Sequence, residues 1–101
     1  MLTVNKVENK YVVSFYNTNK LNVLNAAEIE SKLMPLVSQR DFKLIINFTG
    51  IKFIDSSGFE LLTILYKESK LNNSVINFIN LSEELLELVE LVQLDEIFQT
   101  A

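Results

Sequence analysis

The stretch Leu44-Ile45-Ile46-Asn47-Phe48-Thr49-Gly50-Ile51-Lys52-Phe53-Ile54-Asp55-Ser56-Ser57-Gly58-Phe59-Glu60-Leu61-Leu62-Thr63-Ile64-Leu65-Tyr66 decides the fold. Its first five residues are apolar except for Asn47 and rich in β-branched and aromatic side chains, the composition of a strand central in its sheet and covered on both faces. After Thr49-Gly50 and a short connection, a helix is expected over residues 59 to about 71, with Leu61, Leu62 and Leu65 on its buried side. Ser57 followed three residues later by Glu60 fits a capping box: the Ser57 hydroxyl accepts from the Glu60 amide, and the Glu60 carboxylate accepts from the Ser57 amide. Ser56 is then left just outside the helix, beside unpaired amides and the positive end of the macrodipole, where a phosphate is electrostatically welcome.

Upstream of this stretch, residues 2 to 7 and 10 to 16 read as two antiparallel strands joined at Glu8-Asn9. A polar loop, residues 17 to 20, leads to Asn25, which is placed to cap a helix running from Ala26 to near Gln39. Ala26, Ile29, Leu33, Leu36 and Val37 give that helix one buried stripe, and Pro35 predicts a kink or break within it. Downstream, Asn72-Asn73-Ser74 is a turn and residues 75 to 79 a second apolar strand of parallel type. Ser82 is expected to cap a last helix, with Glu83 and Glu84 favouring its dipole and Leu81, Leu85, Leu88, Val89 and Val92 as its stripe. Leu86 and Leu91 lie off that stripe, and residues 97 to 100 read as a short edge strand. The order implies one domain of α/β class, with a mixed four- to five-stranded sheet and helices mainly on one face. In such sheets, binding sites lie beyond the carboxyl ends of the strands, where the connection from Asp55 to Gly58 emerges.

Composition narrows the chemistry. At 101 residues, 49% hydrophobic, with 2 Gly and 1 Pro, the chain suits one compact core rather than a disordered segment. It has no Cys and no His, which removes disulfides, thiolate metal sites and the usual catalytic base. No metal site, cofactor or catalytic residue is expected. A net charge of -4 without a basic stripe argues against nucleic acid. No apolar run reaches membrane-spanning length, so a cytoplasmic protein without membrane insertion is expected.

The strand followed by Phe53-Ile54-Asp55-Ser56-Ser57-Gly58 resembles the signature of STAS domains, the class of bacterial anti-sigma factor antagonists and of the cytoplasmic tails of sulfate transporters. Length and element order extend the resemblance over nearly the whole chain. In that family the first hydroxyl of the Asp-Ser-Ser/Thr-Gly motif is phosphorylated by a partner kinase, which by match of motif is Ser56 here. The resemblance implies an anti-sigma factor of serine-kinase type as partner, bound in the unphosphorylated state and released by phosphorylation, and a metal-dependent serine phosphatase that resets the switch. It departs from the family pattern at Asn22, where an aspartate is frequent, at Asn19, where a glycine is frequent, and at Phe59-Glu60, where a small pair such as Leu-Gly is usual.

Three other readings stand beside this one. Ser56 and Ser57 can both simply serve the helix start. In a non-switching STAS subunit of a transport or signalling complex, the two serines instead contact an ATPase subunit. An enzyme using Ser56 as nucleophile lacks any residue spaced to activate it. On the leading reading the partner surface comprises Asn22 and Asn25 in the loop before the first helix, Asp55, Ser56, Ser57 and Gly58 at the motif, and Phe59, Glu60, Thr63 and Lys67 along the solvent side of its helix. Gly58 is expected to leave room for the partner to approach the backbone.

Overall fold

Alternating residues at the start of the chain form a hairpin. In the computed structural model, which describes residues 1–91 and their side chains through Val89, β1 (Leu2–Val7) pairs antiparallel with β2 (Lys10–Phe15), Val7 opposite Lys10. Glu8 turns the chain with φ 57, a left-handed conformation that a non-glycine residue adopts at a cost. The chain then passes through β3 (Lys20–Leu21) into α1 (Ala26–Val37), β4 (Lys43–Asn47), β5 (Phe53–Ile54), α2 (Ser56–Leu71), β6 (Val75–Ile79) and α3 (Glu83–Leu91).

The main sheet has the order β1-β2-β4-β6, with both β2-β4 and β4-β6 parallel, so it is mixed and β4 is an inner strand. Register places Tyr11, Leu44 and Ile76 in one row and Val13, Ile46 and Phe78 in the next, and all six are buried. Helices α1 and α2 cover this face, packing on one another and on β4 and β6. They bury Ile29, Leu33 and Val37 from α1 and Leu61, Leu62 and Leu65 from α2. On the opposite face Val12, Ile45 and Asn77 are half-buried and Val75 is exposed, so among the described residues β4 is covered on one face, not on both as its composition predicts. Parallel pairing on either side, rather than burial of both faces, accounts for its β-branched run.

Two further expectations change. Helix α1 runs through Pro35 and ends two residues beyond it, without a break. The carbonyl that proline deprives of its bond belongs to Ser31, and both residues are exposed, so that carbonyl is not left in the core. The residue pairs β3 and β5, too short to show any period, form a second, two-stranded parallel sheet with Leu21 opposite Ile54. Helix α3 packs near β5 with Leu85 and Val89 buried, and the Leu85 amide donates to the Ser82 hydroxyl at 3.2 Å, so Ser82 caps it as expected. The side chain of Leu91, residue Val92 of the stripe and the edge strand expected at residues 97 to 100 lie outside the described residues.

Candidate functional site

The small β3-β5 sheet exists to bring two loops together. Asp55 follows β5 directly, and its amide donates to the Leu21 carbonyl at 3.0 Å. Its backbone is extended (φ -92, ψ -175), the conformation of a helix N-cap, and its Oδ1 accepts from the Gly58 amide at 2.9 Å. The other carboxylate oxygen, Oδ2, accepts from the Val23 amide at 3.2 Å. One half-buried carboxylate thus closes the start of α2 and holds the loop between β3 and α1 against it.

This replaces the capping box expected at Ser57 and Glu60. Helix α2 begins at Ser56, so Ser57 sits within its first turn and has no orphan amide in front of its hydroxyl. Asp55 wins the position because its carboxylate reaches the third helical amide from outside the helix and carries the charge that the dipole favours. Neither hydroxyl, Ser56 nor Ser57, has a hydrogen-bond partner among the described residues. The reading in which both serve the helix start therefore does not describe this geometry. Ser56 occupies the first helical position, rather than the residue outside it, and is exposed.

Gly58 does leave room, but for the protein itself. A Cβ there would lie 2.6 Å from Ile54 Cγ2, 2.7 Å from the Leu21 carbonyl oxygen and 3.0 Å from Leu21 Cβ. The glycine lets the β3-β5 pair press against the helix start, and its burial removes it from the surface. Phe59 is likewise only 7% exposed and belongs to the core, so its ring is not offered to a partner.

The remaining expected residues stay at or near the surface. Asn25 stands at the N-cap position of α1 but makes no capping bond; its Oδ1 accepts from the Asn22 amide at 2.9 Å and its Nδ2 donates to the Lys20 carbonyl at 2.9 Å. Asn22 in turn accepts from the Leu24 amide at 3.0 Å. These bonds shape the loop next to Asp55, so Asn22, Asn25, Asp55, Ser56 and Ser57 converge. Glu60 is exposed one turn further on. The Thr63 hydroxyl is turned back onto the Phe59 carbonyl at 2.9 Å, and Lys67 is exposed roughly 16 Å along the helix from Ser56. Sequence reasoning missed the contact at Val23, whose amide donates to the second oxygen of the Asp55 carboxylate, because nothing local marks a contact made across 32 residues.

A groove of about 250 Å³ opens beside the motif, between the starts of α1 and α2, lined by residues that include Val23, Ala27, Ser57 and Ile64. Among the described residues there is no cluster of metal-ligating side chains and no helix long and apolar enough to cross a membrane.

The strand-connection-helix site on a mixed sheet is that of a STAS domain, and the family model for the STAS domain matches residues 3–101. The chain belongs to that family. Its fold is similar to an anti-sigma-factor antagonist (STAS) domain protein from Planctomyces limnophilus, with a TM-score of 0.86 at 23% identity over 96% of this chain and 86% of that one. It is also similar to the anti-sigma factor antagonist SpoIIAA in its unphosphorylated form, with a TM-score of 0.78 at 18% identity, covering 100% of this chain and 88% of that one. The Bacillus cell fate determinant SpoIIAA in its phosphorylated form matches with a TM-score of 0.72 at 17% identity, covering 100% and 91%.

Proposed function

We propose that this chain is a non-enzymatic, cytoplasmic partner switch. Unphosphorylated, it binds an anti-sigma factor of serine-kinase type; phosphorylation at Ser56 ends that binding, and a serine phosphatase restores it. The observation that carries the reading is the Ser56 hydroxyl: exposed, without a hydrogen-bond partner among the described residues, and fixed on the first turn of a helix whose start is clamped by Asp55. The same fold in SpoIIAA, known in both unphosphorylated and phosphorylated forms, supports it.

Phosphate adds roughly -1.5 to -2 charges at that position. The dipole and the first-turn amides accommodate them, so the domain stays folded, while an interface fitted to a neutral hydroxyl is blocked by size and charge. Intact mass of the protein from its own cells is expected to show a form heavier by one phosphate, absent in Ser56→Ala. Partner affinity is expected to drop for Ser56→Asp relative to Ser56→Ala. Equal affinities for the two variants, or a transport ATPase co-purifying in place of a kinase, would defeat the switch.

A further inference from the structure

We propose that the groove between the starts of α1 and α2 is a docking trench for a basic segment that carries an aliphatic side chain, contributed by the protein that binds beside Ser56; the inference rests on the partner-binding reading above. The floor is apolar, made by Leu61 and Ile64 of α2, and the short side chain of Ala27 leaves the trench open on the α1 side. Its rim carries one carboxylate from each helix, Glu30 from α1 and Glu60 from α2. The ion pair formed among the described residues joins Lys32 to Glu28, so neither rim carboxylate has a cationic partner there. An apolar slot bracketed by two uncompensated negative charges favours an aliphatic group flanked by Lys or Arg. It repels acidic peptides, nucleic acid and anionic lipid surfaces alike.

The edge of the trench at Val23 supports the same occupant. Val23, which lines it, is 70% exposed, and its chain neighbour Leu24 is 87% exposed. A lone exposed aliphatic residue is ordinary, but two adjacent ones on a tied backbone are not collapsed chain. The Val23 amide is held by Asp55 and the Leu24 amide by Asn22, which keeps both side chains presented to solvent. The trench therefore continues into an apolar surface that runs up to the motif, and an amphipathic segment lying along it would meet apolar contacts in the middle and carboxylates at the edge.

The test is a titration of the isotopically labelled full chain with a short synthetic peptide bearing leucines at helical spacing and lysines elsewhere, with its glutamate counterpart as control. The expected result is saturable binding of the lysine peptide, with amide shifts centred on Ala27, Glu30, Glu60 and Ile64. Affinity should fall about tenfold or more in Glu30→Lys/Glu60→Lys. Ala27→Trp, which fills the trench without altering charge, should also abolish binding, while Glu84→Lys/Glu87→Lys, an equal change in net charge on α3, should leave it intact. Equal binding of the two peptides, shifts centred elsewhere, or equal losses from the two charge reversals would overturn the proposal. No step of this titration involves a kinase or modified Ser56. Absence of phosphate in cells would thus remove the switch and leave the trench, and failure of the titration would remove the trench and leave the switch.

Discussion

Gly58 and Asp55 hold the motif in place from opposite sides of one helix turn. Because a Cβ at position 58 would press on a backbone carbonyl, not only on a movable side-chain tip, Gly58→Ala is expected to cost about 1 to 3 kcal/mol in chemical denaturation. A cost near zero would mean that the helix start can back away from Leu21. Asp55 does two jobs, and substitutions separate them. Asn at 55 keeps an oxygen for the Gly58 amide but offers no second acceptor to Val23, so Asp55→Asn should chiefly loosen the loop before α1. Asp55→Ala should add the loss of the cap, about 0.5 to 2 kcal/mol. Ser57→Ala should be nearly silent, since its hydroxyl caps nothing; a cost comparable to that of Asp55→Ala would restore the capping box.

At the scale of elements, the three helices start in different ways. Helix α2 is capped by a carboxylate, α3 by the Ser82 hydroxyl, and α1 begins without a side-chain cap because Asn25 is spent on shaping the loop. In α3 the Glu84 carboxyl is held below the ordinary carboxylate range, first by its own amide and then by the Ser82 hydroxyl. A carboxyl with a lowered folded pKa contributes stability above its unfolded pKa, and that contribution is lost as pH falls through the folded value. The Glu84 midpoint read by NMR should therefore lie below 4.5 and move back toward it in Ser82→Ala. An unchanged midpoint would leave the amide as the whole cause. The short strands β3 and β5 matter more than their length suggests, since they alone place Leu21 beside the residue that precedes α2.

Across the whole molecule, the partner surface expected to surround Ser56 takes in the loop before α1 and the outer side of α2 and leaves out α3, the helix that packs near β5. A specific interface needs on the order of 800 Å² per partner, which the motif alone does not supply. Charge reversal at Glu60 or Lys67 is expected to slow association with the partner and to do so most at low salt, while reversal at Glu84 or Glu87 changes little. The opposite ranking in stopped-flow association would place the interface on the α3 side.

Periodicity alone determined most of the architecture: the hairpin, three helices, two parallel strands and the inward stripe of Leu61, Leu62 and Leu65 are visible because a period is a local property. The motif also stood out, and with it Ser56. Tertiary structure alone decided that Asp55 rather than Ser57 closes the helix, that Gly58 makes room for Leu21 and Ile54 rather than for a partner, that Phe59 turns inward, and that one face of β4 lacks a cover among the described residues. The Asp55 cap is a local contact with the Gly58 amide three residues on, while the other three depend on neighbours distant in the chain. The Asp55 carboxylate meets the Val23 amide across 32 residues because two-residue strands bring their loops side by side, and strands that short carry no pattern of their own.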